Sequence, residues 1–233
     1  AGAVTLSSDT NALVVNASHL TSVMLKEINN ADELSRFMKE KKIDTVIIGP
    51  GSGVNKLTKD MIIMAIKEEK SLVLDADGLT SFKKKPEELF FYLKNRKKRE
   101  NIILTPHHGE FNRLFKISNL NKIEKTNLAA NLTNSTILYK GNDTVISTPK
   151  KETLISQESS PFLATAGSGD VLAGICGSFL AQGMKSHQAA AAASWLHNEI
   201  GLENGPGFIA EDMSKFIART ISKKLKKLYE NGN

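Results

Sequence analysis

The strongest constraint on this chain is a recurring unit: a short apolar run, an abrupt loop rich in glycine, aspartate or proline, then a stretch with helical periodicity. Asp44–Ile48 runs into Gly49-Pro50-Gly51-Ser52-Gly53, Ser71–Leu74 into Asp75-Ala76-Asp77-Gly78, and Asn101–Leu104 into Thr105-Pro106-His107-His108-Gly109-Glu110. Runs this short suit buried strands, and the segments between them repeat apolar residues at i, i+3 and i+4. Leu34, Phe37 and Met38 predict a helix over Ala31–Lys41. Met61, Ile62, Ala65 and Ile66 predict another over Leu57–Glu68, and Pro86 suits the first turn of a third, Pro86–Arg96. Strands alternating with helices form a parallel sheet covered by helices, the α/β class.

The pattern continues at both ends. Ala3–Leu6 and Leu13–Val15 read as short strands before the first helix. Thr136–Lys140 and Thr144–Ser147 flank Gly141-Asn142-Asp143, a turn between two strands, and Thr153–Ile155 adds one more. The last third is helical. Val171, Leu172, Ile175, Phe179 and Leu180 stripe Gly169–Gln182, Ser186–Glu199 is alanine-rich, and Met213, Phe216, Ile217, Ile221, Leu225 and Leu228 stripe the C-terminal helix. Without repeat or linker, residues 1–233 read as a single domain.

Composition removes several function classes. The chain has 233 residues, 40% hydrophobic and 24% charged, enough to bury a sizeable core. No apolar run approaches the ~20 residues of a membrane-spanning helix, and no basic flank leads into a signal-peptide core. No membrane partner is expected. The net charge of +6 is concentrated in Lys83–Lys85, Lys94–Arg99 and Lys223–Lys227. Aromatic residues do not interleave there as base stacking requires, so these read as solvated helix faces, and no nucleic-acid partner is expected. Cys176 is the only cysteine, which excludes an intramolecular disulfide and suits a reducing compartment such as the cytoplasm. It lies in an apolar segment with no cation beside it, so packing is its expected role.

Ligands of open α/β sheets collect beyond the carboxyl ends of the strands, where all these loops fall. The most specific segment is Ala164-Thr165-Ala166-Gly167-Ser168-Gly169-Asp170, leading into a helix. Its glycines admit close backbone approach, and free N–H groups at the helix start form an anion hole. Asp170 is a carboxylate at a place that attracts anions. It reads as a helix cap or, better in this context, as a general base taking the proton of a hydroxyl that attacks a phosphoryl group. Gly49–Gly53 is either a strand-to-helix turn or a pyrophosphate cradle, and it lacks the Gly-Lys-Ser/Thr of a P-loop. Asp75 and Asp77, two apart at a strand end, could hold Mg²⁺ or serve as cap and solvated charge. His107 reads as a hydrogen-bonding partner for a ligand, with Glu110 at the start of the next helix. The set is too sparse for a zinc site, and no protein metal site is assigned. His197 on the alanine-rich helix reads as a satisfied buried histidine. Lys140 is positioned to meet nucleotide phosphates, with the following turn either holding an adenosine or serving as a bare hairpin.

Taken in order, VIIGPGSG at Val46–Gly53, VLDADGL at Val73–Leu79, ILTPHHGE at Ile103–Glu110, LYKGNDT at Leu138–Thr144 and LATAGSGDVLAG at Leu163–Gly174 resemble the ADP/ATP-dependent NAD(P)H-hydrate dehydratase family. That family is a branch of the ribokinase-like superfamily. The resemblance implies a three-layer α/β fold with a central, mostly parallel sheet flanked by helices. It implies dehydration of (S)-NAD(P)H-hydrate (NADHX or NADPHX) to NAD(P)H, through phosphorylation of the ring hydroxyl by ADP or ATP and loss of phosphate. By motif position Gly53 and His107 would line the hydrate site, with Asp170 as base and substrate contact. Lys140, Gly141, Asn142, Asp143, Thr144 and Gly169 would hold the adenine nucleotide, accompanied by Mg²⁺. Family members commonly form tetramers or larger homo-oligomers, and many carry a fused epimerase domain, so both are expected partners here.

The chain departs from the family pattern twice. His108 stands where the family usually has proline. Ala1–Leu6 resembles a strand that in the family follows a glycine-rich strand and a helix, which implies a domain supplied without that first strand and helix. Two other readings share the anion hole: a small-molecule kinase for a hydroxymethylpyrimidine or hydroxyethylthiazole, and a non-catalytic nucleotide-binding module. An intact Asp170 argues against the module, because anion binding alone would do better without a carboxylate.

Overall fold

The computed structural model describes residues 1–97, 101–149, 153–156 and 159–230. Lys98 and Arg99 of the basic clump lie outside the described residues, as do the side chains of Leu225 and Leu228. The elements run β1 (Thr5–Ser8), α1 (Leu13–His19), β2 (Met24–Glu27), α2 (Ala31–Glu40), β3 (Thr45–Ile48), α3 (Lys56–Lys67), β4 (Ser71–Leu74), α4 (Ala76–Thr80) and α5 (Pro86–Lys94). They continue with β5 (Ile102–Leu104), α6 (His108–Phe115), α7 (Lys122–Thr133), β6 (Thr136–Tyr139), β7 (Thr144–Ser147), β8 (Leu154–Ser156), α8 (Ser168–Ala181), α9 (Ser186–Asn204) and α10 (Met213–Glu230).

Six strands form one sheet in the order β3-β4-β5-β6-β7-β8. The first four are parallel; β7 joins β6 antiparallel through the hairpin at Gly141-Asn142-Asp143, and β8 pairs antiparallel with β7. The α/β expectation therefore holds. The period of two sorts each strand between two cores. Leu72, Leu74, Ile102, Leu104, Ile137 and Tyr139 face α3, α5, α6 and α7, where they meet Ile62, Leu89, Phe111 and Ala129. The alternate residues Val73, Ile103 and Leu138 face α8, α9 and α10. Burial on both faces explains why the strands are continuous apolar runs rather than alternating ones. Helix α8 comes very close to the sheet: a Cβ on Gly177 would lie 2.5 Å from Cδ1 of Ile47. Among the described residues no helix is long and apolar enough to cross a membrane.

The N-terminal reading needs correction. Leu13–Val15 is not a strand but opens α1, while β1 pairs in parallel with β2 as a separate two-stranded sheet. Val14 and Val15 are exposed, so their β-branching has no sheet neighbour to pack against. Polar anchors hold the helix instead: Asp9 accepts from Ala12 N–H at 2.9 Å, and Asn16 donates to the Ser8 hydroxyl at 2.9 Å.

The loops after β3 and β4 touch through bare backbone. A Cβ on Gly49 would fall 1.7 Å from the carbonyl oxygen of Asp75, and one on Gly78 would fall 2.6 Å from that of Ile48. Gly49 also has φ of +143°, whereas Gly51, with φ of +66°, has open space around it. Gly49→Ala is accordingly expected to lose more than ~3 kcal/mol of stability through overlap and backbone strain, against roughly 1–2 kcal/mol for Gly51→Ala. Urea denaturation midpoints of the two variants check the contrast.

Candidate active site

The site grows from the carboxyl ends of β4 and β6. Asp75, the last residue before α4, is 1% exposed and bonds the Lys140 ammonium, with Oδ1 and Nζ 2.8 Å apart. The Lys140 backbone is fixed as well, its main-chain N–H donating to the Pro106 carbonyl at 2.9 Å. The carboxylate is sealed from water and needs the partly exposed ammonium as its counter-charge, so the pair ties the two strand ends together. Ala76, directly after Asp75, is held at φ of +45°, a strained conformation of the kind concentrated at functional sites.

The start of α8 faces this pair. Gly167 adopts φ of +82° and the helix begins at Ser168 with no side-chain cap bond. The Ser168 N–H donates to the Thr165 carbonyl at 3.3 Å, while the Gly169 and Asp170 N–H groups after it meet no capping side chain and can serve an anion. Gly169 lies so near Lys140 that a Cβ there would be 3.1 Å from Nζ and 3.9 Å from Asp75 Oδ2. Asp170 stands exposed on the same turn. Partial burial, then the Asp75 carboxylate, raises its pKa; Lys140 opposes them, and Asp77 adds a smaller push upward. A carboxylate made more basic beside an ammonium and a helix N-terminus is equipped to take a proton where negative charge is being stabilised.

Next to Lys140 opens a cleft of about 390 Å³. Gly141, Asn142 and Asp143 line it, together with His108, Lys122, Lys125 and Tyr139, four residues that no motif reading singled out for a ligand. Lys122 donates to the Asp143 carboxylate at 2.7 Å and lies 4.8 Å from the Tyr139 ring centroid, a cation–π contact. That bond holds the Asp143 carboxyl below the usual carboxylate range, while burial and then the Asp143 charge push Tyr139 up. His108 bridges the Tyr139 hydroxyl at 2.8 Å and the Asn112 side chain at 2.9 Å. A histidine in place of proline thus packs as a hydrogen-bonded wall of the cleft.

The remaining expected residues have internal partners. Gly53 donates its N–H to Asp77 Oδ2 at 2.9 Å and accepts from the Thr58 hydroxyl at 2.8 Å, which shapes the loop after β3. His107 caps α6: its Nδ1 accepts from Gly109 N–H at 3.0 Å, and its own N–H donates to Glu110 at 2.9 Å. Its ring is nonetheless largely exposed. Thr144 is buried and closes the hairpin by donating to the Gly141 carbonyl at 3.2 Å. His197 is buried and hydrogen-bonded to Ser168, as its reading anticipated. Asp75 and Asp77 are engaged by Lys140 and Gly53 respectively, and among the described residues no group of His, Cys, Asp or Glu is arranged to hold a metal ion.

A mostly parallel sheet covered on both faces, with a glycine-opened helix meeting a lysine on its carboxyl edge, is the arrangement of the ribokinase-like fold. Superposition agrees: a ribokinase-like superfamily protein from Enterococcus faecalis aligns over 96% of this chain and 78% of its own, with a TM-score of 0.79 and 23% identity. The NAD(P)H-hydrate dehydratase family model matches residues 1–223, and the chain belongs to that family. An ADP-dependent (S)-NAD(P)H-hydrate dehydratase from Lactococcus lactis is 31% identical over 210 residues, 82% of this chain and 74% of that protein. A bifunctional NAD(P)H-hydrate repair enzyme from Gloeobacter violaceus is 36% identical over 163 residues, 69% of this chain and only 30% of its own length. The match thus spans under a third of the bifunctional relative.

Removing Lys140 leaves a buried carboxylate without a counter-charge. Lys140→Ala is expected to cost about 3 kcal/mol, with much of the loss recovered on adding Asp75→Asn. Urea denaturation of the parent, both single variants and the double variant measures this coupling.

Proposed function

We propose that the chain catalyses the dehydration of (S)-NAD(P)H-hydrate to NAD(P)H, with ADP or ATP as phosphoryl donor. One observation carries this reading: the basic, exposed Asp170 shares the first turn of α8 with an uncapped helix N-terminus and faces the Lys140–Asp75 pair. The ring hydroxyl of the hydrate gives its proton to the Asp170 carboxylate while its oxygen attacks the terminal phosphorus. The bond from that phosphorus to the nucleotide's bridging oxygen breaks, releasing AMP from ADP or ADP from ATP. The N–H groups of the α8 turn and the Lys140 ammonium stabilise the charge on the transferring group. In the second stage the carbon–oxygen bond of the phosphate ester breaks, phosphate leaves, and a neighbouring ring carbon loses a proton to restore the double bond.

The nucleotide's adenosine is proposed to occupy the cleft at Gly141, Asn142 and Asp143, with Lys140 and Gly169 toward its phosphates and Thr144 closing the hairpin behind. The hydrate is proposed to lie on the Gly53 and His107 side. Mg²⁺ enters as the counter-ion of the nucleotide, since Asp75 and Asp77 already have partners. Family membership favours dehydration over a vitamin-precursor kinase sharing the same anion hole. An epimerase, fused or separate, would supply the S epimer. Exposed Val14, Val15 and Met24 offer apolar surface for assembly into a tetramer or larger homo-oligomer, and the lone, fully buried Cys176 suits a cytoplasmic setting.

Recovery of reduced-nicotinamide absorbance from NADHX, with Mg²⁺ and either ADP or ATP, tests the proposal. Parent protein should restore absorbance with at least one nucleotide, and Asp170→Asn should be slower by roughly 10²–10⁴-fold. A folded parent that instead phosphorylates a pyrimidine or thiazole alcohol and leaves NADHX untouched would overturn the reading. The pH profile gives a second check. Asp170 must be ionised to act as base, so kcat/KM should fall as pH drops through its raised pKa. That acid limb should lie above the ordinary aspartate range.

A further inference from the structure

The first turn of α8 raises a structural question that the proposed chemistry does not answer. Four other helices are held at their start by their own side chains: Asn30 caps α2, Asn55 caps α3, His107 caps α6 and Asn121 caps α7. Helix α8, like α1, α4, α5 and α9, has no such cap, and at α8 a cap would occupy N–H groups that the proposed anion needs. Its opening must therefore be fixed by something that leaves those groups free.

A buried histidine on the neighbouring helix is in place to do this. His197, on α9, is 7% exposed, and its Nε2 lies 3.0 Å from both the hydroxyl and the carbonyl oxygen of Ser168, the first residue of α8. A carbonyl cannot donate, so Nε2 carries the proton and donates to it. Ser168 is itself 5% exposed, which keeps its hydroxyl out of reach as a nucleophile. Burial pushes His197 down to about 4, so the ring acts as a neutral donor and not as a cation competing for the anion. Asp170 lies two residues beyond the bonded carbonyl, and Gly169 between them abuts Lys140.

We infer that His197 is a positioning residue: gripping Ser168 from α9, it holds the first turn of α8 so that its open N–H groups and the Asp170 carboxylate meet the transferring phosphoryl group. The inference rests on the proposed use of that turn for phosphoryl transfer. His197 touches neither substrate nor nucleotide.

The test compares His197→Leu, similar in bulk but without a donor, with His197→Gln, whose amide can donate at comparable reach. Binding is measured by calorimetry for ADP and for adenosine, and dehydration of NADHX is followed beside it. The Leu variant should bind ADP about tenfold more weakly, the worth of one hydrogen bond, with adenosine affinity unchanged. Its kcat should fall at least as far, with the KM for NADHX unmoved, and Gln should restore most of both losses. In an Asp170→Asn background the Leu substitution should slow the reaction little further. A lower melting temperature with unchanged ADP affinity and kcat would make His197 a packing residue only and overturn the inference. So would equal loss of adenosine and ADP binding. An ADP-selective loss in a parent inactive on NADHX would remove the dehydratase reading while leaving His197 in its role.

Discussion

The ion pair between Asp75 and Lys140 is the contact on which the arrangement of the carboxyl edge depends. It joins the ends of β4 and β6, strands separated in the sheet by β5, and it lies below the start of α8. An isolated buried charge would be prohibitive, so neither residue can leave without the other. Their mutual satisfaction leaves the ammonium fixed rather than freely rotating, with one flank toward Gly169. A lysine on an exposed loop would lose considerable side-chain entropy on gripping a phosphate. Here that ordering has been completed on folding, and Asp170, made more basic first by its own partial burial, is made more so by the carboxylate that holds the ammonium.

Such density of charge requires backbone in close quarters, which explains where the glycines fall. Gly49 and Gly78 let the loops after β3 and β4 lie against each other, Gly177 lets α8 approach Ile47, and Gly169 leaves room beside Lys140. Each removes a side chain from a contact between elements distant in sequence. The helix bearing Asp170 is therefore referenced to the same sheet that carries Asp75 and Lys140, and the three are held in register by packing rather than by a loop.

Much of this organisation was legible in the sequence, for identifiable reasons. Strands buried on both faces appear as unbroken apolar runs, so β4 to β6 were visible; the edge strand β3, with Ile47 exposed, has an equally apolar run, and the loops had to converge once the sheet was parallel. The grouping of Lys140 with Gly169 and Asp170 came from the family resemblance, since the convergence of the loops alone did not include the segment that opens α8. Helix α7 was not visible, because it buries Thr126, Ala129, Ala130 and Thr133, a stripe of small and hydroxylated residues without an apolar period. Its capping box, Asn121 with Glu124, was the available signal. Missing α7 meant missing Lys122 and Lys125, which only the helix delivers to the cleft. Helix α1 failed differently: its valines carry strand propensity, but propensity decides little where no neighbouring strand exists to pack against. The internal bonds of Gly53 and His107 lay beyond any motif, since a motif names a position and not the partner that its atoms find.

The cleft beside Lys140 shows how a basic site pairs its own charges. Lys122 lies over the Tyr139 ring and binds the Asp143 carboxylate, so its ammonium is already partnered. A neighbouring anion would compete with Asp143 for that lysine, whereas Lys140 is bound to a residue sealed in the core. The two lysines therefore differ in kind. Lys122 sits in a pair whose carboxylate is largely exposed, where water screens the attraction and exchange is cheap. Lys140 sits in a pair whose carboxylate is buried, where exchange would leave a charge without solvent. Adaptability at the mouth of the cleft and rigidity at its inner end thus follow from burial alone, and rigidity lies where an in-line transfer tolerates least displacement.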